Sequence, residues 1–200
     1  MFAQVITAKI VDADGLWRQV ERWDSEIRPG ADGFLGSTSG ATDDGRLFVM
    51  ARFDSEESAR RNSERPEQAG WWAETEKTLD DVSFQDSTDI VVMGGGGSND
   101  AGFVQVMRGH VLDPDKMAAL RDRMKEFEDT MAKARPDVIG DITAMHADGT
   151  YTDVVYFTSE AEARSAETRE VPAEMQSMFE EWASAAAVDE YIDLKQPRLA

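Results

Sequence analysis

The sequence predicts an α+β fold made of one β-α-β-β-α-β unit written twice, with an antiparallel sheet in each copy. Three observations carry that prediction. FDSEESAR (Phe53–Arg60) recurs as FTSEAEAR (Phe157–Arg164), identical at five of eight positions. FAQVITAKIVD (Phe2–Asp12) recurs as FVQVMRGHVLD (Phe103–Asp113), with Phe, Gln, Val and Asp at matching places. Between the copies lies GGGGSNDAG (Gly94–Gly102), a Gly/Ser run that packs no core and reads as a flexible linker. The chain therefore divides into residues 1–93, a linker over 94–102, and residues 103–200.

Each copy opens with a strand and then an amphipathic helix. Leu16, Val20, Trp23 and Ile27 recur at helical spacing in the first, and Leu120, Met124, Phe127 and Met131 in the second. Asp12 and Asp113 stand where an acidic N-cap satisfies free backbone N–H groups, and Pro114 suits the first helical turn. Both helices run out at Arg-Pro, Arg28-Pro29 and Arg135-Pro136. A hairpin follows in each copy. Residues 33–42 and 46–53 join across Asp44-Gly45, and residues 138–146 and 150–157 across Asp148-Gly149, because glycine accepts the positive φ of a primed turn.

The repeated octapeptide then starts a second helical region. Ser55 and Ser159 are its N-caps, and Ser159-x-x-Glu162 reads as a capping box. Trp71, Trp72 and Leu79 supply its apolar residues in one copy; Met175, Met178, Phe179 and Trp182 do so in the other. Pro66 and Pro172 are expected to split each region in two. Short strands, Val82–Gln85 and Glu190–Asp193, close the units, and Asp89–Met93 adds a strand to the first. This is the ferredoxin-like order, whose free sheet face must be covered. A duplicated chain can cover it internally.

Composition narrows the function. The 200 residues contain no cysteine, which removes disulfides, Cys-ligated zinc, iron–sulfur clusters and thiol catalysis. Net charge is −19 and evenly spread, which opposes binding to nucleic acid and to anionic membranes. The chain has no run of ~18 apolar residues and no export signal at Met1–Asp14, so no membrane partner and a cytoplasmic location are expected. No metal site is expected either: HExxH and paired-Cys patterns are absent. Gly94–Gly97 lacks the G-K-[ST] of a phosphate loop, and RLFVMARF and TYTDVVYF do not fit an RNA-recognition strand.

The strand starts FAQVITAKI and FVQVMRGHV carry a family resemblance, as do GFLGSTSGATDDGRLFVMARFDSEESA and VIGDITAMHADGTYTDVVYFTSEAEA. On these residues the chain resembles the dimeric α/β-barrel superfamily, most closely its antibiotic-biosynthesis-monooxygenase-like branch, over both halves. The resemblance implies that the two halves form an intrachain version of a barrel that relatives build from two chains. The expectation is a monomer with an internal pseudo-dimer, with a homodimer left open. It also implies a cavity for a small apolar or aromatic molecule, and oxygenase chemistry without a cofactor. Haem-degrading relatives use a first-strand Asn and a His after the second helix; Thr7 and Arg108 stand in the first place, and no His lies in residues 1–93.

The candidate residues follow from strand alternation. Val104, Val106, Arg108 and His110 share one face of their strand, so Arg108 and His110 could enter a pocket together, His110 as proton acceptor. The plainer alternative is a partly exposed His at a strand end. The first copy has Thr7 and Lys9 in these places. Gln4 and Gln105 are matched polar residues in apolar strands, suited to a ligand or to tying the sheet to a neighbouring element. Asp141 and Thr143 raise the same choice. Trp71 and Trp72 offer aromatic area, for a ligand or for the core. His146, beside a hairpin turn, reads as a surface residue. The non-catalytic alternatives are a sensor, carrier or protein-interaction module, and an amino-acid-binding regulatory module of the same strand order.

Overall fold

The structure is a computed structural model that describes residues 1–169 and 173–200, with side chains described there except at 124–127, 129 and 174. It divides into two units, Met1–Asp89 with Arg198–Ala200, and Ile90–Pro197.

In unit 1, β1 (Phe2–Ile10) leads to α1 (Ala13–Arg22), capped by Asp12, whose carboxylate accepts from the Gly15 N–H at 2.9 Å. The helix continues as a π-turn over Trp23–Ile27 and a 3₁₀ turn over Arg28–Gly30, where Pro29 ends it. Leu16 and Ile27 are buried, and Val20 and Trp23 half-buried, on the expected face. β2 (Phe34–Ala41) and β3 (Arg46–Phe53) follow. Their link is a four-residue loop rather than a two-residue primed turn. Gly45 alone takes positive φ (81°), so the loop is a turn closed by a left-handed glycine. α2 (Glu56–Ser63) starts at Ser55, whose hydroxyl accepts from the Ser58 N–H; α3 (Pro66–Thr75) starts at Pro66. Leu79 does not belong to that helix. It opens β4 (Leu79–Ser87), which pairs with β1 along most of its length and so exceeds the expected Val82–Gln85.

Unit 2 repeats the plan. β6 (Phe103–Val111), the 21-residue α4 (Pro114–Ala134), β7 (Val138–Met145), β8 (Thr150–Phe157), α5 (Glu160–Glu167), α6 (Ala173–Ala185) and β9 (Ala186–Leu194) follow in order. Asp113 caps α4 through the Lys116 N–H at 3.1 Å. Ser159 caps α5, while the Glu162 carboxylate accepts from the Ser159 and Thr158 hydroxyls. Leu120 and Met131 pack with Met175, Met178 and Trp182. The side chains of Met124 and Phe127, and the break at Pro172, lie outside the described residues.

Each antiparallel sheet has a fifth strand drawn from the other repeat's sequence. The orders are β10-β2-β3-β1-β4 and β5-β7-β8-β6-β9. β5 (Asp89–Met93) is a strand as expected, yet it joins β7 of unit 2 rather than the first repeat's sheet. β10 (Arg198–Leu199), which no sequence pattern marked, joins β2 of unit 1. A glycine admits each arrival. A Cβ on Gly36 would lie 2.5 Å from the Ala200 carbonyl oxygen, and one on Gly140 would lie 1.8 Å from that of Gly96. The Gly94–Gly102 run is thus held at its start: Gly94 N–H donates to Glu128 at 2.9 Å and Gly96 N–H to Met93 at 2.9 Å.

Candidate functional site

On β1, Phe2, Gln4 and Ile6 face the helices of unit 1; on β3, Leu47, Val49, Ala51 and Phe53 do. Between this face and the helices lies a cavity of about 720 Å³. That lies within the ~300–1,000 Å³ usual for small-molecule sites. Its wall is a run of touching aromatic rings. Phe53 meets Phe34 at 5.5 Å, Phe34 meets Trp23 at 4.9 Å, and Trp23 meets Trp71 at 6.4 Å. Trp71 meets Trp72 at 5.9 Å, and Trp72 meets Phe84 at 5.3 Å. Two indole N–H groups are anchored: Trp71 Nε1 donates to the Gln19 carbonyl at 2.7 Å and Trp23 Nε1 to Gln68 at 2.9 Å. These bonds fix the rings and leave their faces as the lining. Residues 198–200 complete the wall beside β2.

The expected site residues divide between this cavity and other places. Trp71, Trp72 and Gln4 line it. Gln4 Nε2 donates to Asp86 at 2.9 Å, directly across the β1–β4 pairing. Gln105 makes the same bond to Asp193 at 3.0 Å in unit 2, so duplication preserved the bond as well as the residue. Thr7 is half-buried on the opposite face of β1 and is no part of the wall. Arg108 and His110 also stand on the face of β6 opposite Gln105, and neither lines the cavity. Arg108 lies 3.9 Å from Glu190, and the exposed His110 meets Asp189 at 2.8 Å. His146 corrects an expectation: it is buried, because its ring folds onto β8 and meets the Thr152 hydroxyl at 3.0 Å.

Sequence reading missed Trp23, Phe34 and Phe84 as wall residues. The usable signal was Phe84, an aromatic in the polar stretch DDVSFQDS, which stands opposite Ile6 on the cavity face of the sheet. It also missed Asp153. Unit 2 carries Asp141, Thr143 and Asp153 on the strand positions where unit 1 has Ser37, Ser39 and Val49. The Thr143 hydroxyl donates to Asp153 at 2.9 Å, and Asp141 lies 3.4 Å from it. Burial raises the Asp153 carboxyl to about 6, and burial together with the neighbouring Asp153 charge raises Asp141 well above the ordinary range. The nearby Tyr151 phenol is pushed up to about 12, chiefly by burial.

Among the described residues, no group of three or more His, Cys, Asp or Glu side chains is arranged to hold a metal ion. No described helix is long and apolar enough to cross a membrane.

No family model and no curated protein matches this chain in sequence. Solved structures do match in shape. One from Lactobacillus acidophilus NCFM and one from Fusobacterium nucleatum subsp. nucleatum are each described as a "putative monooxygenase". The first superposes with a TM-score of 0.70 at 9% identity, over 100% of this chain and 99% of its own. The second gives 0.72 at 8% identity, over 99% and 93%. An anthrone oxidase-like protein gives 0.66 at 9% identity, over 100% and 93%. The chain thus shares the fold of these structures over nearly its whole length, an α+β fold with the ferredoxin-like unit present twice.

Proposed function

We propose that the protein binds a small, mostly apolar aromatic molecule in the unit 1 cavity, with Trp71 and Trp72 as its platform and Gln4 as a polar contact. The aromatic-walled space of about 720 Å³ carries this reading. Burial of a ring against such walls contributes roughly 25 cal/mol per Å² of apolar surface, and fixed aromatic geometry adds to it. Four of the five tryptophans, Trp17, Trp23, Trp71 and Trp72, belong to unit 1, so binding has an optical signal.

The test is a fluorescence titration with 1-naphthylmethanol, a neutral bicyclic probe. Saturable quenching is expected, weakened about tenfold by a Trp71→Leu/Trp72→Leu double variant and unchanged by Trp182→Phe. Quenching that survives the double variant unaltered would refute the assignment.

A second reading, oxygenation of the bound aromatic without a cofactor, draws on the names of the structural neighbours. Its proton acceptor would be a carboxylate of the wall, since neither histidine lies there. Protein-dependent oxygen uptake with 1,4-dihydroxynaphthalene would support it; uptake equal to the protein-free rate would remove it. A cytoplasmic, single-chain protein completes the proposal, to be checked by cell fractionation and by light scattering.

A further inference from the structure

Among the described residues, the wall of the unit 1 cavity holds three buried polar side chains, Ser39, Asn62 and Thr75. Two of them already donate within the protein. The Thr75 hydroxyl bonds the Trp71 carbonyl at 2.9 Å, and the Ser39 hydroxyl bonds the Arg198 carbonyl at 3.5 Å. Asn62 differs. It lies on the buried face of α2, one turn beyond Ala59, and is 7% exposed. Its Oδ1 accepts from Arg65 Nη1 at 3.0 Å. A guanidinium only donates, so the amide oxygen must face Arg65 and the NH2 must face away from it. Arg65 is no part of the cavity wall and Asn62 is, which turns the NH2 toward the cavity. Among the described residues no acceptor meets that NH2, and it stays open to a molecule in the cavity.

The amide is fixed from behind. Arg65 Nη1 also donates, at 3.1 Å, to the carbonyl of Ile27, the last residue of the π-turn after α1. A Cβ on Gly30 would lie 2.4 Å from Arg65 Nη2, so the glycine lets the guanidinium sit close against that turn. The second repeat shows that the fold needs no polar group at this place. Asn62 stands two residues past Arg60, and Ala166, also buried, stands two past Arg164. A buried amide with unmet donors is costly unless an acceptor reaches them.

We propose that the Asn62 amide is a hydrogen-bond donor site of the unit 1 cavity. It takes an uncharged acceptor oxygen, such as a ketone carbonyl, on the bound aromatic molecule. Arg65 is a positioning residue that sets which end of the amide the ligand meets. The inference rests on the ligand-binding reading of that cavity. An uncharged acceptor is favoured over an anion because Asp24, Glu56, Glu64, Glu76 and Asp86 line the wall against two guanidiniums, Arg60 and Arg198. Arg60 shares the helix of Asn62 but is exposed and bonded to Glu64 at 2.6 Å.

The experiment is a fluorescence titration of the full chain with three probes of similar shape: 1-acetylnaphthalene, 1-ethylnaphthalene and 1-naphthylmethanol. The ketone only accepts, the hydrocarbon does neither, and the alcohol both donates and accepts. Asn62→Asp keeps an oxygen for Arg65 and puts a second acceptor where the NH2 was. It is expected to weaken the ketone about tenfold and to change the hydrocarbon and the alcohol by less than about twofold. Asn62→Ala, which reproduces the second repeat, should weaken the ketone about threefold and spare the hydrocarbon. Arg65→Met frees the amide to turn over. It should weaken the ketone about threefold and leave the alcohol unchanged, because the alcohol bonds either end of the amide. Hydrocarbon binding doubles as the check that each variant folds, and a merely structural role would move all three probes alike. Ketone affinity unchanged by both Asn62 variants, or losses shared equally by the hydrocarbon, would overturn this inference and leave the ligand-binding reading standing. No binding of any probe by the parent would overturn both.

Discussion

The backbones of Ser37 and Ala200 exchange two hydrogen bonds, Ser37 N–H to Ala200 at 2.8 Å and Ala200 N–H to Ser37 at 3.0 Å. Far apart in the sequence, they are neighbours in one sheet because β10 returns to β2. The contact covers an edge strand whose N–H and C=O groups would otherwise be open to pairing with another chain. It also supplies one wall of the cavity.

Removal of residues 198–200 should therefore act on stability and binding together. The loss of this edge pairing is expected to cost about 1–3 kcal/mol, from two or more backbone bonds. Urea unfolding measures it, and size-exclusion chromatography should show new self-association through the bared β2 edge. A variant as stable and as monodisperse as the parent would contradict the role given to β10.

Two glycine substitutions should have opposite signs. Gly140→Ala places a methyl 1.8 Å from the Gly96 carbonyl oxygen, so β5 and its turn must move, at roughly 1–3 kcal/mol. Gly70 lies inside α3 with open space around its missing Cβ. Gly70→Ala should stabilise by about 0.5–1 kcal/mol by removing backbone freedom from the unfolded chain. Paired urea curves decide both.

The carboxyl pair in unit 2 makes stability depend on pH. Asp153 and Asp141 are raised above their unfolded values, so the folded state holds more protons than the unfolded one. The sign follows from that: their favourable term is fully present below the ordinary carboxylate range and is lost as pH rises through about 6. Asp153→Asn removes the ionisation penalty while keeping an acceptor for Thr143. It should be more stable than the parent at pH 7.5 by roughly 1–3 kcal/mol, with the gap closing by about pH 4. The difference between the two urea-unfolding profiles isolates this pair from the other acids, and a gap independent of pH would contradict it.

The Gln4–Asp86 bond and its Gln105–Asp193 copy lend themselves to a matched pair of substitutions. Gln4→Leu and Gln105→Leu should each destabilise by about 0.5–1.5 kcal/mol. Only Gln4→Leu should also alter affinity for the naphthyl probes, because only Gln4 lines the unit 1 cavity. Equal effects of both on binding would show that the cavity assignment is wrong.

Much of the fold was legible from local signals. Asp12, Asp113, Ser55 and Ser159 mark helix starts because a short acceptor side chain satisfies backbone N–H groups only there. The Asp-Gly pairs mark hairpins, and the octapeptide echo sets the two halves in register. The site was legible only in part. Trp71, Trp72 and Gln4 lie in the wall, whereas Arg108 and His110 share a face but not the cavity's face. Alternation along a strand tells which residues look the same way, and not which side the helices cover.

The sequence by itself determined the duplication, the order of elements in each copy and the matched Gln, Phe and Asp positions. These follow from caps, turns and period-two patterning, which act over a few residues. Only the tertiary structure decided that β5 and β10 change sheets, that aromatic rings from six elements line one cavity, and that Arg164 reaches Asp193 while Arg60 pairs with Glu64. Each of those depends on which distant backbone or carboxylate comes within hydrogen-bond reach, a distance that no local pattern encodes.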